Sequence, residues 1–551
     1  MGAVTSADRA VTLLRALVDG GVRDVVLSPG SRSAPLALAL HAADAAGDLR
    51  LHVRLDERSS GFLALGLSVG SRRPVAVVTT SGTAVGNLLP AVMEAHHSGR
   101  RLVVVSADRP AALRGTGANQ TTEQEGLYGV FAPCADLAVD AGEQEVRAAA
   151  LAATQRPGPS QLNLQLGEPL LPEPAGVWWP GGGAPDEEAP RRRRTDAAEP
   201  LPVGPRTVVV AGDDAGPGPR VLAQAMGWPL LAEPTSGSRA GANAIRTYRL
   251  LLGGPLGAEV ERVLVTGHPT LSRPVTRLIS RADLEVLAVP GAGGVVTDPA
   301  RVARHLPGLP AVPEGVVPAP EDAAWLARWQ AADAALSARL DALVDGLPGL
   351  DPLQVAREVG AATGPGCTLV VGSSNPVRDL DLVLAPYPPG EHRLVVGNRG
   401  LAGIDGTVST ALGVALGRPA APDGRRPRSL ALLGDVTFLH DANGLVLGPD
   451  EPRPDLTLVV VNDDGGSIFA GLEQGAPGYA RAFERVFATP HHADLRALCA
   501  ASGTPYGLVT DVAGLRAALA DDRPGLRVVE ARVGRADRRA TAARIAALME
   551  D

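Results

Sequence analysis

Two strongly apolar runs in the C-terminal third of the chain constrain its fold more than any other feature. Ser429–Gly434 and Leu456–Val461 are short aliphatic runs that each end abruptly in acidic residues or glycine. Continuous apolar runs of this length are typical of strands that are buried on both faces of a parallel sheet. Because the ligands of such sheets collect at the carboxyl ends of the strands, we expect a binding site where these two runs end.

The residues at those two ends are suited to binding a hard metal ion. Asp435 follows the first run directly, and the second run is followed by Asn462, Asp463, Asp464, Gly465 and Gly466. Carboxylate and carbonyl oxygens are the ligands that Mg²⁺ prefers, with water or phosphate completing its shell. The sequence therefore predicts a metal site formed by Asp435, the Gly465 carbonyl and either Asn462 or Asp463.

Two further interpretations apply to the same stretch. A helix predicted at Thr437–Leu447 would present free N–H groups to a diphosphate at its N-terminus. Alternatively, an acidic residue after a single buried strand is often only a helix cap or a turn residue. The presence of two such strand ends, the second followed by a double glycine, favours the metal site.

Composition excludes several classes of function. The 551 residues carry a net charge of −8, which predicts no nucleic-acid partner. All 52 basic residues are arginines, so Schiff-base enzymes and Walker A phosphate loops are excluded, since both need a lysine. The isolated cysteines Cys134, Cys367 and Cys499 indicate a reducing, cytoplasmic location. No apolar run reaches the roughly 18 residues needed for membrane insertion.

Alternating strand and helix patterns predict an α/β protein with three domains. The predicted boundaries are 1–172 for the N-terminal domain, 173–206 for a linker rich in Pro and Gly, 207–345 for the middle domain and 346–551 for the C-terminal domain. The predicted strands are Asp24–Leu27, Val75–Thr79, Leu102–Ser106, Gln161–Leu166, Thr207–Ala211, Arg262–Thr266, Glu285–Val289, Thr368–Val371, Arg393–Val396, Ser429–Gly434, Leu456–Val461 and Leu526–Glu530. Thr83–His96 is predicted to be a single helix.

Several short polar motifs carry a resemblance to a known enzyme family. In chain order they are Ser28–Leu36, Asp56–Arg58, Thr80–Ala84, Ala107–Pro110, Gly117–Gln120, Ser374–Arg378 and Asn398–Gly406. With the two strand ends, they resemble the thiamine-diphosphate-dependent enzymes, and among these the 2-succinyl-5-enolpyruvyl-6-hydroxy-3-cyclohexene-1-carboxylate synthases of menaquinone biosynthesis. The chain departs from the general signature at Val436, where glycine is usual, and at Asp463, where asparagine is usual.

The resemblance implies a thiamine-diphosphate-binding fold in which a pyrimidine-binding and a diphosphate-binding domain flank a middle domain. It implies thiamine diphosphate and Mg²⁺, or Mn²⁺, as cofactors. Members of the family decarboxylate 2-oxoglutarate and add the resulting carbanion to isochorismate in a 1,4-addition. The resemblance also implies a homodimer or a dimer of dimers with active sites at the subunit interface, where Glu57 of one chain activates the cofactor of its partner.

The same resemblance assigns roles to individual residues. Cofactor contacts are implied for Glu57, Ile404, Gly434, Asp435, Val436, Asp463, Gly465 and Ile468. Binding of the substrate carboxylates is implied for Arg32, Arg109, Arg378 and Arg399, with hydrogen bonds from Ser31, Asn119, Gln120 and Ser374. The substrate pocket is expected to include Arg273, Ile468, Phe469 and Leu472. No histidine is expected to be catalytic.

Two other functions remain open at this point. The first is a different thiamine-diphosphate enzyme, such as a 2-oxoacid decarboxylase or an acetolactate-synthase-like carboligase, which would handle monocarboxylates and would not need four arginines. The second is a non-catalytic cofactor-binding or scaffold protein. The presence of both Glu57 and Asp435 argues against the second.

Overall fold

The structure is a computed structural model that describes residues 5–171, 179–181, 198–420, 424 and 426–550. Its strands form three parallel sheets of six, five and six strands. The prediction of an α/β fold with parallel sheets is therefore confirmed. The predicted linker, residues 173–206, lies largely outside the described residues, and the exact domain boundaries stay a prediction.

The first sheet has the strand order β2-β1-β3-β4-β6-β5. Its strands are β1 (Asp24–Leu27), β2 (Arg50–Val53), β3 (Val75–Thr79), β4 (Leu102–Asp108), β5 (Cys134–Leu137) and β6 (Ser160–Gln165). The central strands β3 and β4 are buried along their whole length, as their continuous apolar sequences predict.

The second sheet has the order β11-β10-β9-β7-β8. Its strands are β7 (Thr207–Ala211), β8 (Leu230–Ala232), β9 (Arg262–Thr266), β10 (Glu285–Ala288) and β11 (Arg304–His305). The three central strands are close to the predicted bounds because each is an apolar run bordered by polar or turn residues.

The third sheet has the order β13-β12-β14-β15-β17-β16. Its strands are β12 (Thr368–Val371), β13 (Leu394–Val396), β14 (Ser429–Gly434), β15 (Leu456–Asn462), β16 (Tyr506–Val509) and β17 (Leu526–Arg532). Counted from its own first strand, this order is the same as that of the first sheet. In this order β13 is added on one side of the first strand, β12, and β14 on its other side. The connections therefore run in opposite directions from β12, which leaves a crevice at the carboxyl ends of β12 and β14.

The helices surround these sheets. They are α1 (Ser6–Asp19), α2 (Ala34–Ala45), α3 (Glu57–Ser71), α4 (Thr83–Gly86), α5 (Leu89–Ser98), α6 (Glu143–Gln155), α7 (Gly218–Met226), α8 (Tyr248–Leu251), α9 (Pro255–Ala258), α10 (Arg273–Ile279), α11 (Pro320–Asp345), α12 (Pro352–Ala362), α13 (Asn375–Val383), α14 (Thr407–Gly417), α15 (Asp435–His440), α16 (Ala480–Phe483), α17 (Leu495–Ala501), α18 (Val512–Ala520) and α19 (Arg538–Ala547). Within the described ranges, none of them is both long and apolar enough to cross a membrane.

The helix predicted at Thr83–His96 is divided in two. Helix α4 ends at Gly86 and α5 begins at Leu89, with Pro90 in its first turn. A proline inside a helix removes a hydrogen-bond donor and clashes with the preceding turn, whereas it is well tolerated in a first turn. The prediction of one continuous helix was therefore wrong at this proline.

The chain forms two compact units. The first contains the first sheet together with α14 and the segment His440–Asp455, and the second contains the second and third sheets. Buried aliphatic side chains pack against each sheet. They form one cluster at the first sheet, two at the second and one at the third.

Within the first unit, helices α3 and α14 pack backbone to backbone through glycines. A Cβ atom on Gly66 would stand 2.2 Å from the carbonyl oxygen of Thr410, and one on Gly413 would stand 2.2 Å from that of Leu63. These distances are far below van der Waals contact, so only glycine permits this approach. The pair fixes α3, the helix that begins at Glu57.

Candidate active site

A cavity of about 160 Å³ lies at the carboxyl edge of the third sheet. The residues that follow β12, β14 and β15 line it, as the strand order of this sheet predicts. On one side it is lined by Gly434, Asp435, Val436, Asp463 and Gly465. The structure therefore brings together the two predicted strand ends around one space.

Asp435 is buried at the first of these ends, where it begins helix α15. Its Oδ2 atom accepts a hydrogen bond from the Gly465 N–H at 2.9 Å, and its Oδ1 atom accepts one from the Val436 N–H at 2.7 Å. Burial raises the pKa of this carboxyl group. The hydrogen bond to Gly465 ties the ends of β14 and β15 together.

Asp463, not Asn462, is among the residues that line the cavity. The amide of Asn462 is engaged elsewhere: it donates to Oε1 of Glu530 at 3.0 Å and accepts from the Asp464 N–H at 3.0 Å. Burial and the negative charge of Asp435 raise the pKa of Asp463 to about 7. Two carboxyl groups that repel one another across a cavity form a site suited to a divalent cation.

Gly465 occupies a backbone conformation that other residues rarely adopt. Its φ angle is +142°, and a Cβ atom would stand 2.2 Å from the carbonyl oxygen of Ala488. A side chain is therefore excluded for both conformational and steric reasons. This explains physically why a glycine follows the acidic residues here.

The donor set fits a hard divalent cation. Within the described ranges, no group of three or more His, Cys, Asp and Glu side chains is arranged to hold a metal. Two carboxylates and one carbonyl leave several positions open, as Mg²⁺ bound together with a phosphate group requires. A Cβ atom on Gly434 would meet open space, so the lining leaves room beside Asp435.

His491 contacts Asp435, although no sequence motif pointed to it. Its Nδ1 atom accepts a hydrogen bond from the Ala493 N–H at 3.0 Å, so the proton of the neutral ring lies on Nε2. Nε2 then donates to Oδ2 of Asp435 at 3.1 Å. The histidine orients this carboxylate, and its backbone N–H donates to Asp464.

The helix after Asp435 is shorter than predicted. Helix α15 ends at His440, and Ala442–Leu445 forms a 3₁₀ turn instead of continuing it. Asp441 is fully buried, and its carboxylate accepts hydrogen bonds from the Ser59 hydroxyl at 2.8 Å and the Ser409 N–H at 2.7 Å. These tertiary contacts, with a glycine at 444, end the helix early.

The opposite side of the cavity is more apolar. Ile404, Ile468 and Phe469 line it, together with Ser374, which follows β12 with a φ angle of +70°. Leu472 is not among the lining residues, so its predicted place in the substrate pocket stays a prediction.

Two of the predicted substrate arginines lie in the second unit. The Arg378 guanidinium donates to the Ser374 carbonyl, and burial together with the positive charge of Arg399 lowers the pKa of Arg378. Arg399 is 2% exposed and donates to the Thr270 hydroxyl at 3.2 Å. Two guanidinium groups that are close enough to repel each other form a site that favours the binding of anions.

Arg273 lies on the surface. It begins α10 and forms a bidentate ion pair with Glu473, with N–O distances of 2.7 and 3.1 Å, and both side chains are mostly exposed. Exposed ion pairs of this kind contribute little to stability. The predicted role of Arg273 in substrate binding stays a prediction.

The other two predicted arginines lie in the first unit. Arg109 is buried and donates to the Ser81 hydroxyl and the Gln120 carbonyl, both at 2.6 Å. Arg32 donates to the Leu166 carbonyl at 3.1 Å. Burial and the positive charge of Arg32 lower the pKa of Arg109. These two guanidinium groups therefore also lie near each other.

Three other predicted substrate-binding residues of the first unit, Ser31, Asn119 and Gln120, lie on loops close in sequence to these arginines or in contact with their partners. Gln120 has a φ angle of +55°, and its amide donates to the Ser81 carbonyl at 2.8 Å. Ser31 and Asn119 are exposed on loops, next in sequence to Arg32 and Gln120. The structure thus places Ser31, Arg32, Arg109, Asn119 and Gln120 at the ends of β1 and β4 and on the loop that follows β4.

Glu57 begins α3 and accepts a hydrogen bond from the Asn87 amide at 3.3 Å. The first turn of this helix is held by residues close in sequence to α15. Arg58 donates to the His440 carbonyl at 2.6 Å, and Asn443 donates to the helix cap Asp56 at 3.1 Å.

Comparisons with known proteins identify the family of this chain. Residues 9–127 match the model of the thiamine pyrophosphate enzyme, N-terminal TPP binding domain. The chain is 56% identical to the 2-succinyl-5-enolpyruvyl-6-hydroxy-3-cyclohexene-1-carboxylate synthase of Nocardioides sp., covering 97% of this chain and 96% of the relative. It is 48% identical to the enzyme of the same name from Kineococcus radiotolerans, covering 95% and 94%. The chain therefore belongs to the family of 2-succinyl-5-enolpyruvyl-6-hydroxy-3-cyclohexene-1-carboxylate synthases, which are thiamine-diphosphate-dependent enzymes.

Proposed function

We propose that this protein condenses 2-oxoglutarate with isochorismate, releasing CO₂ and forming 2-succinyl-5-enolpyruvyl-6-hydroxy-3-cyclohexene-1-carboxylate in menaquinone biosynthesis. The observation that carries the proposal is its 56% identity over nearly the whole chain to a curated synthase of that name. The cavity with two carboxyl groups and the two pairs of closely spaced arginines support it.

The residues at the third sheet would hold the cofactors. Asp435, Asp463 and the Gly465 carbonyl would bind Mg²⁺, or Mn²⁺, and through it the diphosphate. Gly434 and Val436 would lie beside the diphosphate, and the apolar Ile404 and Ile468 would contact the thiamine rings. When bound, thiamine diphosphate supplies the electron sink that decarboxylation of a 2-oxoacid requires.

Glu57 would hydrogen-bond the aminopyrimidine ring of the cofactor and exchange a proton with it. Its carboxyl group lies in the first turn of α3, where the helix fixes its position. Its contact with Asn87 at 3.3 Å orients one oxygen and leaves the other for the cofactor.

The arginines would bind the substrate carboxylates. Each substrate is a dianion, so four carboxylates must be bound by a chain whose net charge is −8. Arg32, Arg109, Arg378 and Arg399 supply bidentate donors, which a point charge cannot replace. Ser31, Asn119, Gln120 and Ser374 would add hydrogen bonds, and Phe469, Leu472 and Arg273 would complete the pocket.

The direct test is mass analysis of the product formed from isochorismate, 2-oxoglutarate, thiamine diphosphate and Mg²⁺. Omitting isochorismate should leave slow CO₂ release from 2-oxoglutarate, and pyruvate should be decarboxylated far more slowly. Faster CO₂ release from pyruvate than from 2-oxoglutarate would instead identify a decarboxylase or carboligase of monocarboxylates.

We also propose a homodimer, or a dimer of dimers, in which Glu57 serves the cofactor of the partner chain, and a cytoplasmic location. The test mixes two inactive variants, Glu57→Gln and Asp435→Asn. If the two residues act in trans, each mixed dimer regains one intact site, and random pairing restores about a quarter of the wild-type activity. If they act within one chain, the mixture remains inactive.

A further inference from the structure

The proposed reaction leaves one buried carboxyl group unused. Glu233 follows strand β8 and is 1% exposed. Its Oε1 atom accepts a hydrogen bond from the Leu271 N–H at 2.9 Å, whereas Oε2 is buried and has no hydrogen-bond partner within the described part of the chain. A buried carboxylate oxygen without a partner costs free energy, which points to a role in a site and not in packing.

Glu233 is linked to a substrate arginine through two adjacent residues. Leu271 donates its N–H to the Glu233 carboxyl group, and Thr270 accepts a hydrogen bond from the Arg399 guanidinium at 3.2 Å. Arg399 is also the largest single charge that acts on Glu233. The segment 270–271 therefore holds the carboxyl group and the guanidinium group side by side.

The charged and titratable groups around Glu233 come from several elements. They are Arg399 and Arg378, Asp381 on α13, Asp213 after β7, and the Tyr248 hydroxyl on α8. Asp381 is fully buried and pairs with Arg239 at 3.2 Å and Arg249 at 3.5 Å. Burial outweighs the nearby cations and raises the pKa of Glu233 to about 8.

We propose that Glu233 is a positioning residue for Arg399, and that the dicarboxylate substrate binds when the Glu233 carboxyl group is protonated. An ionised Glu233 would compete with the substrate carboxylate for the charge of Arg399. A protonated Glu233 still accepts from the Leu271 N–H through Oε1, carries its proton on Oε2, and leaves the guanidinium charge to the substrate. This inference rests on the proposed function, in which Arg399 binds a substrate carboxylate.

The test compares wild type with Glu233→Gln, which keeps the shape and the acceptor oxygen but cannot ionise. For wild type, the KM for 2-oxoglutarate should rise about tenfold between pH 7 and pH 9 as Glu233 loses its proton, with little change in kcat. The substrate remains a dianion throughout this range. In Glu233→Gln the KM should stay flat. The control Glu285→Gln removes a middle-domain carboxylate that begins β10 and pairs with Arg262, and should keep the wild-type profile.

A binding measurement that needs no turnover accompanies the kinetics. Calorimetric titration of the wild-type protein with glutarate, a dicarboxylate that cannot be decarboxylated, should show affinity falling about tenfold from pH 7 to pH 9. Equal pH dependence in wild type and Glu233→Gln, or glutarate affinity that is independent of pH, would overturn the proposal. If wild type forms no product but glutarate binding shows the expected dependence, the proposed function fails and the role of Glu233 stands.

Discussion

Replacing Asp463 by asparagine should stabilise the metal-free protein, and the gain should grow as the pH rises from about 4 to about 7. Asp463 lines the cavity beside Asp435, and burial and that neighbouring charge raise its pKa from 3.8 to about 7. A raised carboxyl pKa means that the folded state disfavours the ionised form. The penalty is absent below the unfolded-state pKa near 4 and is complete above the folded-state pKa near 7.

The magnitude follows from the pKa difference. A shift of roughly three units corresponds to about 4 kcal/mol at pH 7.5 and about 1 kcal/mol at pH 4.5, where most of the group is protonated in the folded state. Asparagine keeps an oxygen that can face the metal but carries no charge. The metal-free variant should therefore gain up to about 4 kcal/mol at pH 7.5, and Mg²⁺ should stabilise it less than it stabilises wild type.

The assay is denaturant unfolding with a chelator at both pH values, followed by hydrogen exchange in β14 and β15, where the effect is local. Asp464→Asn is the matched control. Its side chain accepts from the N–H groups of His491 and His492, and the hydrogen bond from the His492 N–H helps to lower the pKa of Asp464, so its removal should destabilise. An equal effect of Asp463→Asn on stability at pH 4.5 and pH 7.5 would refute the inference that burial and repulsion by Asp435 raise the pKa of Asp463.

Three further outcomes follow from the structure. Gly66→Ala would place a Cβ atom 2.2 Å from the Thr410 carbonyl oxygen and should lower stability by about 1–3 kcal/mol, whereas Gly86→Ala meets open space and should change it by less than about 1 kcal/mol; thermal unfolding compares them. Glu57→Gln should lower kcat by about 100-fold or more while calorimetry shows thiamine diphosphate still binding. Arg378→Lys should raise the KM for 2-oxoglutarate about tenfold, measured by CO₂ release, because lysine cannot form a bidentate contact.

The interior strands of all three sheets could be predicted from the sequence, because burial on both faces requires a continuous apolar run. The strands that were missed are β2, β5, β8, β11 and β16, and each lies at an edge of its sheet. An edge strand has one pairing partner and is short or partly exposed, as Tyr506–Val509 shows, so its sequence carries no strong apolar pattern. Only tertiary pairing makes these segments strands.

The candidate site also has features that the sequence predicts and features that only the tertiary structure decides. That Asp435 and the residues after β15 meet at one cavity could be predicted from the sequence, because the carboxyl ends of neighbouring parallel strands meet. The choice between Asn462 and Asp463 needed the structure, since it depends on Glu530, a residue of the neighbouring strand β17. The charge states depend on burial and on neighbours far apart in the sequence. The contact of Glu233 with Leu271 therefore had no signature in any motif, and only the folded chain brings it beside Arg399.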